Sequence, residues 1–452
     1  MPDSLDLLTP YVLREQGQWF EKEIGFLGAF LKPGMQAIDI GANYGVYTLT
    51  MAGILGPAGT LWAFEPTSTT AACLGDSLTE NRFGNVTLVQ AALSDRVGTA
   101  TLGLNPNSEL NSLSVTPGAE SEEVPVMTLD GCMAEFGWRH MDFIKLDAEG
   151  HEDNILRGGQ SFLDAFWPLI MFEFKNGAEV NLSLIESFAG LGYSSYRYVP
   201  GLGALVPFAS GEAPDQFELN LFCCKDDTAS RLERDGILVT AAAIGQTAVP
   251  EAPSDWRQRL AAMPHHAMLH GDKAPADIGA AGPDGDAYMA ALKLFMVAQL
   301  ADQTAATRYR ALSGALALIV PLAEAEAVVT TRLFTLARIY GELGFREQEV
   351  ATLARLMTTH KVAPNFWLDA PFLPVCPRFD GLDPAGADHM MGWLTGQLVE
   401  QMEIQRAFSS FFTGQTGLQN LDRLASAGFM SEAMKRRQSV IRERFGLGPA
   451  AP

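Results

Sequence analysis

Residues 36–55, QAIDIGANYGVYTLTMAGIL, decide how this chain folds. A short apolar run ends at Asp39-Ile40, a turn built on Gly41 and Gly45 follows, and helical spacing begins near Val46. Glycine tolerates backbone angles that other residues resist, so Gly41 and Gly45 let the chain turn sharply and approach a ligand closely. The spacing is D-x-G-x-N-x-G, through Asp39, Gly41, Asn43 and Gly45, not the G-x-G-x-x-G that cradles a dinucleotide pyrophosphate. A shorter turn headed by an acid suits a cofactor with an amino-acid end, S-adenosylmethionine (SAM). A plain strand-to-helix turn is the alternative reading of the same residues.

Outward from this turn the pattern repeats. Strand candidates are Gln36–Ile40, Gly59–Phe64, Val86–Gln90, Phe143–Leu146 and Leu169–Phe174, with helix-like Tyr47–Leu55 and Thr70–Asn81 between them. Strands alternating with helices predict a parallel sheet covered on both faces, and Glu218–Cys223 reads as a last strand pairing antiparallel. Glu65 ends the second strand and is placed to accept hydrogen bonds from ribose hydroxyls, as acids at this position do in nucleotide folds. An NAD-dependent oxidoreductase would share that acid; the turn spacing argues against one. Gln90 and Ala91 stand at the tip of the third strand, where a backbone amide and apolar contacts suit an adenine ring, unless the segment is only a solvated strand end.

After Asp226 the composition shifts to Ala, Pro, Gly and Asp, and beyond Gly285 strand signals vanish. The expected organisation is an α/β domain over 1–228, a linker over 229–285 with a short helix at Trp256–Met263, and an all-α domain over 286–452. Helices are expected at Asp286–Asp302, Thr304–Ile319, Ala323–Gly341, Phe345–His360, Asp388–Phe411 and Leu418–Phe445. Residues 332–357 resemble a tetratricopeptide hairpin turning at Gly341–Phe345, although plain helical packing produces the same pattern.

Of the chain's 452 residues, 47% are hydrophobic, and the net charge is −21. Through Thr228 there are 11 Lys+Arg against 30 Asp+Glu, which disfavours a nucleic-acid substrate there. No basic segment followed by an apolar run suggests a signal peptide, and no apolar stretch approaches the roughly 20 residues that span a bilayer. Five cysteines without metal-ligand spacing fit reduced thiols in a cytoplasm.

The specific signal is residues 142–159, DFIKLDAEGHEDNILRGG. Together with WFEKE at 19–23, IDIGANYG, FEP at 64–66 and AALSD at 91–95, it resembles the FkbM family of methyltransferases over roughly Tyr11 to Lys175. The resemblance implies a Rossmann-like class I methyltransferase domain, SAM as cofactor, and methyl transfer to a hydroxyl-bearing small molecule or glycan. Asp147, Glu149 and His151, just past the fourth strand, are then the candidate catalytic residues for aligning the acceptor and taking its proton. Helix capping accounts equally well for part of that acidic cluster. Glu173, ending LIMFEF, is another acid at the same edge, and with Asp147 and Glu149 could offer oxygen ligands to Mg²⁺, though such acids commonly stand without metal. Trp19, Phe20, Glu21 and Glu23 read as a lid or as a packing helix. The loop Gly103–Glu123 is polar enough to meet a polyhydroxylated acceptor. The C-terminal helices are expected to serve a protein partner or homo-oligomer. A non-catalytic interaction protein is the rival reading, opposed by the acids at 39, 65, 147 and 149.

Overall fold

The computed structural model describes residues 2–104, 120–176, 179–209, 211–263, 285–324, 330–360, 376, 382 and 390–448. The strands, in chain order, are β1 (Gln36–Ile40), β2 (Thr60–Phe64), β3 (Val86–Val89), β4 (Ala92–Leu93), β5 (Gly98–Gly103), β6 (Ser121–Met127), β7 (Phe143–Leu146) and β8 (Leu169–Glu173). They continue with β9 (Lys175–Asn176), β10 (Glu179–Val180), β11 (Ser194–Val199), β12 (Ala204–Pro207) and β13 (Asn220–Cys224). Eight of them form one sheet in the order β12-β11-β13-β8-β7-β1-β2-β3. From β3 to β8 neighbouring strands are parallel; β13 runs antiparallel to both β8 and β11. The predicted parallel sheet and its antiparallel last strand are therefore both present.

Alternation along each strand sends side chains to two cores. Ile38, Ile40, Trp62, Phe64, Ile144, Leu146, Ile170 and Phe172 pack on one face with helices α5 (Leu129–Glu135), α6 (Glu152–Arg157), α7 (Gln160–Phe166) and α8 (Leu182–Gly190). Ala37, Leu61, Phe143, Leu169, Met171 and Phe222 pack on the other with α2 (Glu23–Phe30), α3 (Val46–Leu55) and α9 (Asp226–Arg234). Burial on both faces is why these strands read as continuous apolar runs rather than as alternating ones. Helix α1 (Leu8–Gln16) lies apart from the sheet and packs against the C-terminal helix Glu432–Arg444.

The carboxyl ends of β3, β2, β1, β7 and β8 share one edge, and the chain order reverses direction between β1 and β7. Such a switch point opens a crevice for a ligand.

Between 229 and 263 lie the end of α9, α10 (Ala241–Gln246) and α11 (Trp256–Ala261), with Leu238 bridging to Leu205 beside β12. Residues 264–284 of the expected linker lie outside the described residues. The C-terminal helices include Gly285–Ala298, Ala305–Glu324, Thr330–Leu343, Arg346–His360, Met390–Ala407, Leu418–Ser426 and Glu432–Arg444. The expected helix Leu418–Phe445 is broken in two where Gly428 takes φ +81°. The expected helix Asp388–Phe411 is interrupted at Phe408, φ +55°, which starts a new short helix at Ser410. The helical core includes Val199, Leu202, Ala204 and Val206 from the β11–β12 edge, so the helices close over that end of the sheet. Backbone bonds tie the junction: Gly201 N–H donates to Glu342 O (2.9 Å), and Arg197 Nη1 donates to Leu343 O (2.8 Å). No helix among the described residues is long and apolar enough to cross a membrane.

Candidate functional site

At the switch point β1 and β7 diverge around Gly41. Asp147 N–H donates to Ile40 O (3.1 Å), and a Cβ on Gly41 would fall 1.8 Å from Asp147 O. With φ at +78° as well, this position admits glycine and little else. Gly45, φ +88°, begins α3, and a Cβ there would meet Leu74 Cδ1 at 2.4 Å. The close turn leaves a cleft of about 710 Å³, lined by Gly41 and Asn43 from the turn, Glu65 and Thr67 beyond β2, Ala91–Leu93, and Asp147, Glu149 and His151 beyond β7.

Glu65 is held rigidly at this lip. Asn43 N–H donates to its Oε2 and Thr67 N–H to its Oε1, both at 2.9 Å. Burial raises its pKa, while those two donors act in the opposite direction. The oxygens are thus oriented before any ligand arrives, and each retains lone pairs for a hydroxyl. Asn43 itself adopts φ +49°, and its side-chain oxygen accepts from Tyr44 N–H (2.7 Å).

Asp39 is placed differently from the expectation of direct contact with a cofactor. It is fully buried beneath the turn, does not line the cleft, and accepts a 2.5 Å hydrogen bond from Thr48 Oγ1. Its neighbour across β7 is Lys145, also buried, whose Nζ lies 2.6 Å from Asp147. Burial raises Asp39, offset in part by Lys145. For Asp147 burial works upward too, but the adjacent ammonium prevails and holds the carboxyl below its ordinary value. Glu173 shows the opposite outcome: burial and then the charge of Asp147 push it well above the usual range. One proton is therefore shared at this edge while Asp147 stays ionised. Oxygens of Asp147, Glu149 and Glu173 lie within 4.8 Å of one another. Lys145 already supplies a cation beside Asp147.

His151 lines the cleft on the side of Ser94. Its Nε2 shares a 2.8 Å hydrogen bond with Ser94 Oγ, and Nδ1 lies 2.7 Å from Asn154 Nδ2. Burial lowers its pKa, so the ring is neutral near pH 7. A role as base would require one of these bonds to be released. Gln90 is exposed and outside the cleft lining, whereas Ala91 lines it. Glu152, a member of the acidic cluster for which capping was the alternative reading, closes the β7–α6 turn by accepting from Ala148 N–H (2.9 Å) and Gly150 N–H (3.2 Å).

Lys145 carries weight that sequence reasoning missed, although it stands inside the most specific motif. The signal was available: a lysine in an otherwise apolar buried strand, flanked in register by an acid, must be paired. Glu21 was also undervalued. It accepts hydrogen bonds from Trp19 Nε1 (3.0 Å), Asn220 Nδ2 (2.9 Å) and the Tyr47 hydroxyl, joining the N-terminal segment to the sheet edge.

Residues 39–195, which contain the turn, Glu65 and the β7 motif, match the family described as "Methyltransferase FkbM domain". Over these residues the chain matches an FkbM methyltransferase domain. A curated relative, 31-O-demethyl-FK506 methyltransferase FkbM of Streptomyces tacrolimicus, is 29% identical over 174 residues, covering 32% of this chain and 65% of the relative. The match thus spans less than two thirds of that relative's length and leaves the C-terminal helices outside it. Among solved structures, methyltransferase FkbM from Methylobacillus flagellatus KT is 15% identical over 43% of this chain and 44% of its own, with a TM-score of 0.30. A putative methyltransferase from Streptococcus mutans in complex with SAH is 10% identical over 45% of this chain and 95% of its own, TM-score 0.27. Likenesses this slight add nothing to the sheet order, which by itself gives the α/β domain its doubly wound topology.

Proposed function

We propose that the chain is a SAM-dependent O-methyltransferase whose acceptor is a hydroxyl on a sugar, glycan or secondary metabolite. The observation that carries this reading is Glu65, its two oxygens aligned by backbone donors at the lip of a cleft that opens at the β1–β7 switch point. In this reading Glu65 accepts the ribose hydroxyls. Ala91, Leu93, Leu102 and Ile155 offer an apolar wall for adenine, and the Gly41–Asn43 turn receives the amino-acid end. Asp39 acts at one remove, holding Thr48 of α3 and so the turn. SAM would supply an electrophilic methyl group on a sulfonium, leaving the protein to align the acceptor and take a proton. Asp147, ionised beside Lys145, is the first candidate for that proton, with Glu149 next to it and His151 third because both its nitrogens are engaged. Support for oxygen as the acceptor atom comes from the Streptomyces tacrolimicus relative, which is named for an O-demethyl substrate. Assignment of 1–228 to the methyltransferase domain, 229–285 to a connection and 286–452 to a helical domain belongs to the same proposal, as does a partner on the helices.

Calorimetric titration with SAM, S-adenosylhomocysteine (SAH) and NAD tests it. SAM and SAH are expected to bind. Glu65→Ala is expected to weaken SAH roughly 10- to 100-fold, the loss of charged hydrogen bonds together worth about 1.5–3 kcal/mol. Binding of NAD without SAM or SAH would refute the reading.

A further inference from the structure

The same sheet edge carries a second cavity, of about 560 Å³, over the ends of β8, β13 and β11 rather than over β1 and β2. Asn220, which pairs with Glu173 across β13 and β8, forms part of its lining, as does Glu21. Between this cavity and the cofactor cleft runs a continuous set of polar groups. Glu21 accepts from Tyr47, Lys145 Nζ sits 5.0 Å from the centre of the Tyr47 ring, and Lys145 pairs with Asp147.

The C-terminal helices contribute part of its wall. Phe408 lies 4.9 Å from Phe20 and 6.2 Å from Phe217, ring centre to ring centre. Its left-handed backbone is fixed by neighbours: Gln16 Nε2 donates to Phe408 O (2.6 Å), and Ser409 Oγ and Ser410 N–H donate to the buried Glu15. Strain of this kind persists only where the surroundings over-determine it. The Arg346 guanidinium lies 3.9 Å from the Phe408 ring centre and 5.0 Å from that of Phe217, while its N–H groups go to the carbonyls of Ile404 and Gln405. Arg346 thus braces the aromatic wall with its donors turned to the helix end.

Charge then selects the occupant. Glu23 and Glu218 line the cavity, and neither forms an ion pair among the described residues. Burial pushes Glu218 up to about 7 and Glu23, with the added repulsion of Glu21, up to about 8. Lys22 stands exposed at the rim. Three acids, Glu21, Glu23 and Glu218, outnumber Lys22 and Arg346 in this lining, which disfavours an anion. With these raised values both acids hold protons near neutral pH while the cavity is empty; an ammonium group would draw them to their ionised form and meet the faces of the surrounding rings, a gain that a neutral polyol does not offer.

We propose that this cavity is the acceptor site, that the C-terminal helices complete it, and that its acceptor carries a protonated amine held by Glu23 and Glu218. The hydroxyl to be methylated then lies toward Glu21, from which Tyr47, Lys145 and Asp147 lead to the cofactor cleft. This rests on the methyltransferase reading above.

The test uses the full chain saturated with SAH and two ring compounds that differ by one group, 2-aminocyclohexanol and cyclohexane-1,2-diol, titrated by ligand-observed NMR. The amino alcohol is expected to bind at least tenfold more tightly than the diol. Glu23→Gln and Glu218→Gln are each expected to remove that preference with SAH affinity unchanged. Phe408→Ala should weaken both probes. Equal affinity of the two probes on the unaltered protein would overturn the amine, a comparison that no folding defect can confuse. Failure of both probes while SAH binds would overturn the acceptor site and leave the cofactor reading standing; failure of SAH itself would overturn that reading instead.

Discussion

Replacing Lys145 by methionine keeps the length of the side chain and removes its charge. The ammonium is 5% exposed, lies 2.6 Å from Asp147, and neighbours Asp39 in the β1–β7 register. Breaking a buried pair by removing one partner costs about 3–5 kcal/mol, because the other charge is left without compensation. The cost depends on pH in a direction fixed by the carboxyls. In the unaltered protein Asp147 is held low, so it contributes stability above the ordinary carboxylate pKa and loses it as pH falls. In Lys145→Met, burial acts on Asp147 unopposed and raises it. Its contribution is then present only below the unfolded value of about 3.9 and is lost as pH rises through the new folded value. The gap between the two proteins should therefore widen with pH, from small near pH 4.5 to about 3–5 kcal/mol at pH 8. Urea unfolding followed by near-ultraviolet circular dichroism at both pH values measures it. An equal gap at the two pH values, or a gap below about 1 kcal/mol at pH 8, would refute the claim that Lys145 neutralises this edge.

Gly41→Ala should destabilise by about 2 kcal/mol or more, from its left-handed backbone and the overlap with Asp147 O, and should also weaken SAH. Gly28→Ala, inside α2 with open space around it, is the control and should stabilise by about 0.5–1 kcal/mol. Thermal melting and calorimetry decide between them; a Gly41→Ala protein with unchanged melting and SAH affinity would contradict the turn geometry. Arg437, 1% exposed, pairs with Glu400 at 2.6 Å and approaches Glu15 of α1 at 4.0 Å. Arg437→Met should cost about 3–5 kcal/mol and expose Arg14 to trypsin; undiminished protection in limited digestion would show that α1 is held by other contacts.

Acids and bases are distributed so that the two halves of the chain depend on each other. Glu15 in α1 accepts from Ser410 N–H, and Arg14 reaches Glu443 through two hydrogen bonds of 3.0 and 2.6 Å. The short segment from Gly17 to Lys22 links α1, docked on the C-terminal helices, to Glu21, docked on Tyr47 and Asn220 at the sheet edge. Movement of the helices against the sheet would thus be felt at Glu21.

Local pattern along the chain carries the doubly wound sheet and most of the lining of the cleft at the β1–β7 switch point. Residues 36–40 and 143–146 were read to the residue because a parallel strand buried on both faces is a short, largely apolar run, here broken by Asp39 and Lys145, which face each other in register. Gly41, Asn43, Glu65, Ala91, Asp147, Glu149 and His151 were legible because each sits at the end of such a strand, and strand ends converge at a switch point whatever the rest of the chain does. Strands β5, β6, β11 and β12 were not foreseen: they are short or mixed in polarity, and antiparallel pairing supplied what their composition does not announce. Only the tertiary structure placed Asp39 beneath the turn instead of in the cleft, engaged both nitrogens of His151, and set Lys145 under three acids. It alone brought Phe408 and Arg346 to the wall beside Phe20 and Glu23, more than 300 positions earlier in the chain. The physical reason is the range of the interactions. Strand and turn propensities act over a few residues and are written locally, whereas burial, ion pairing and cavity shape depend on which distant segments pack together.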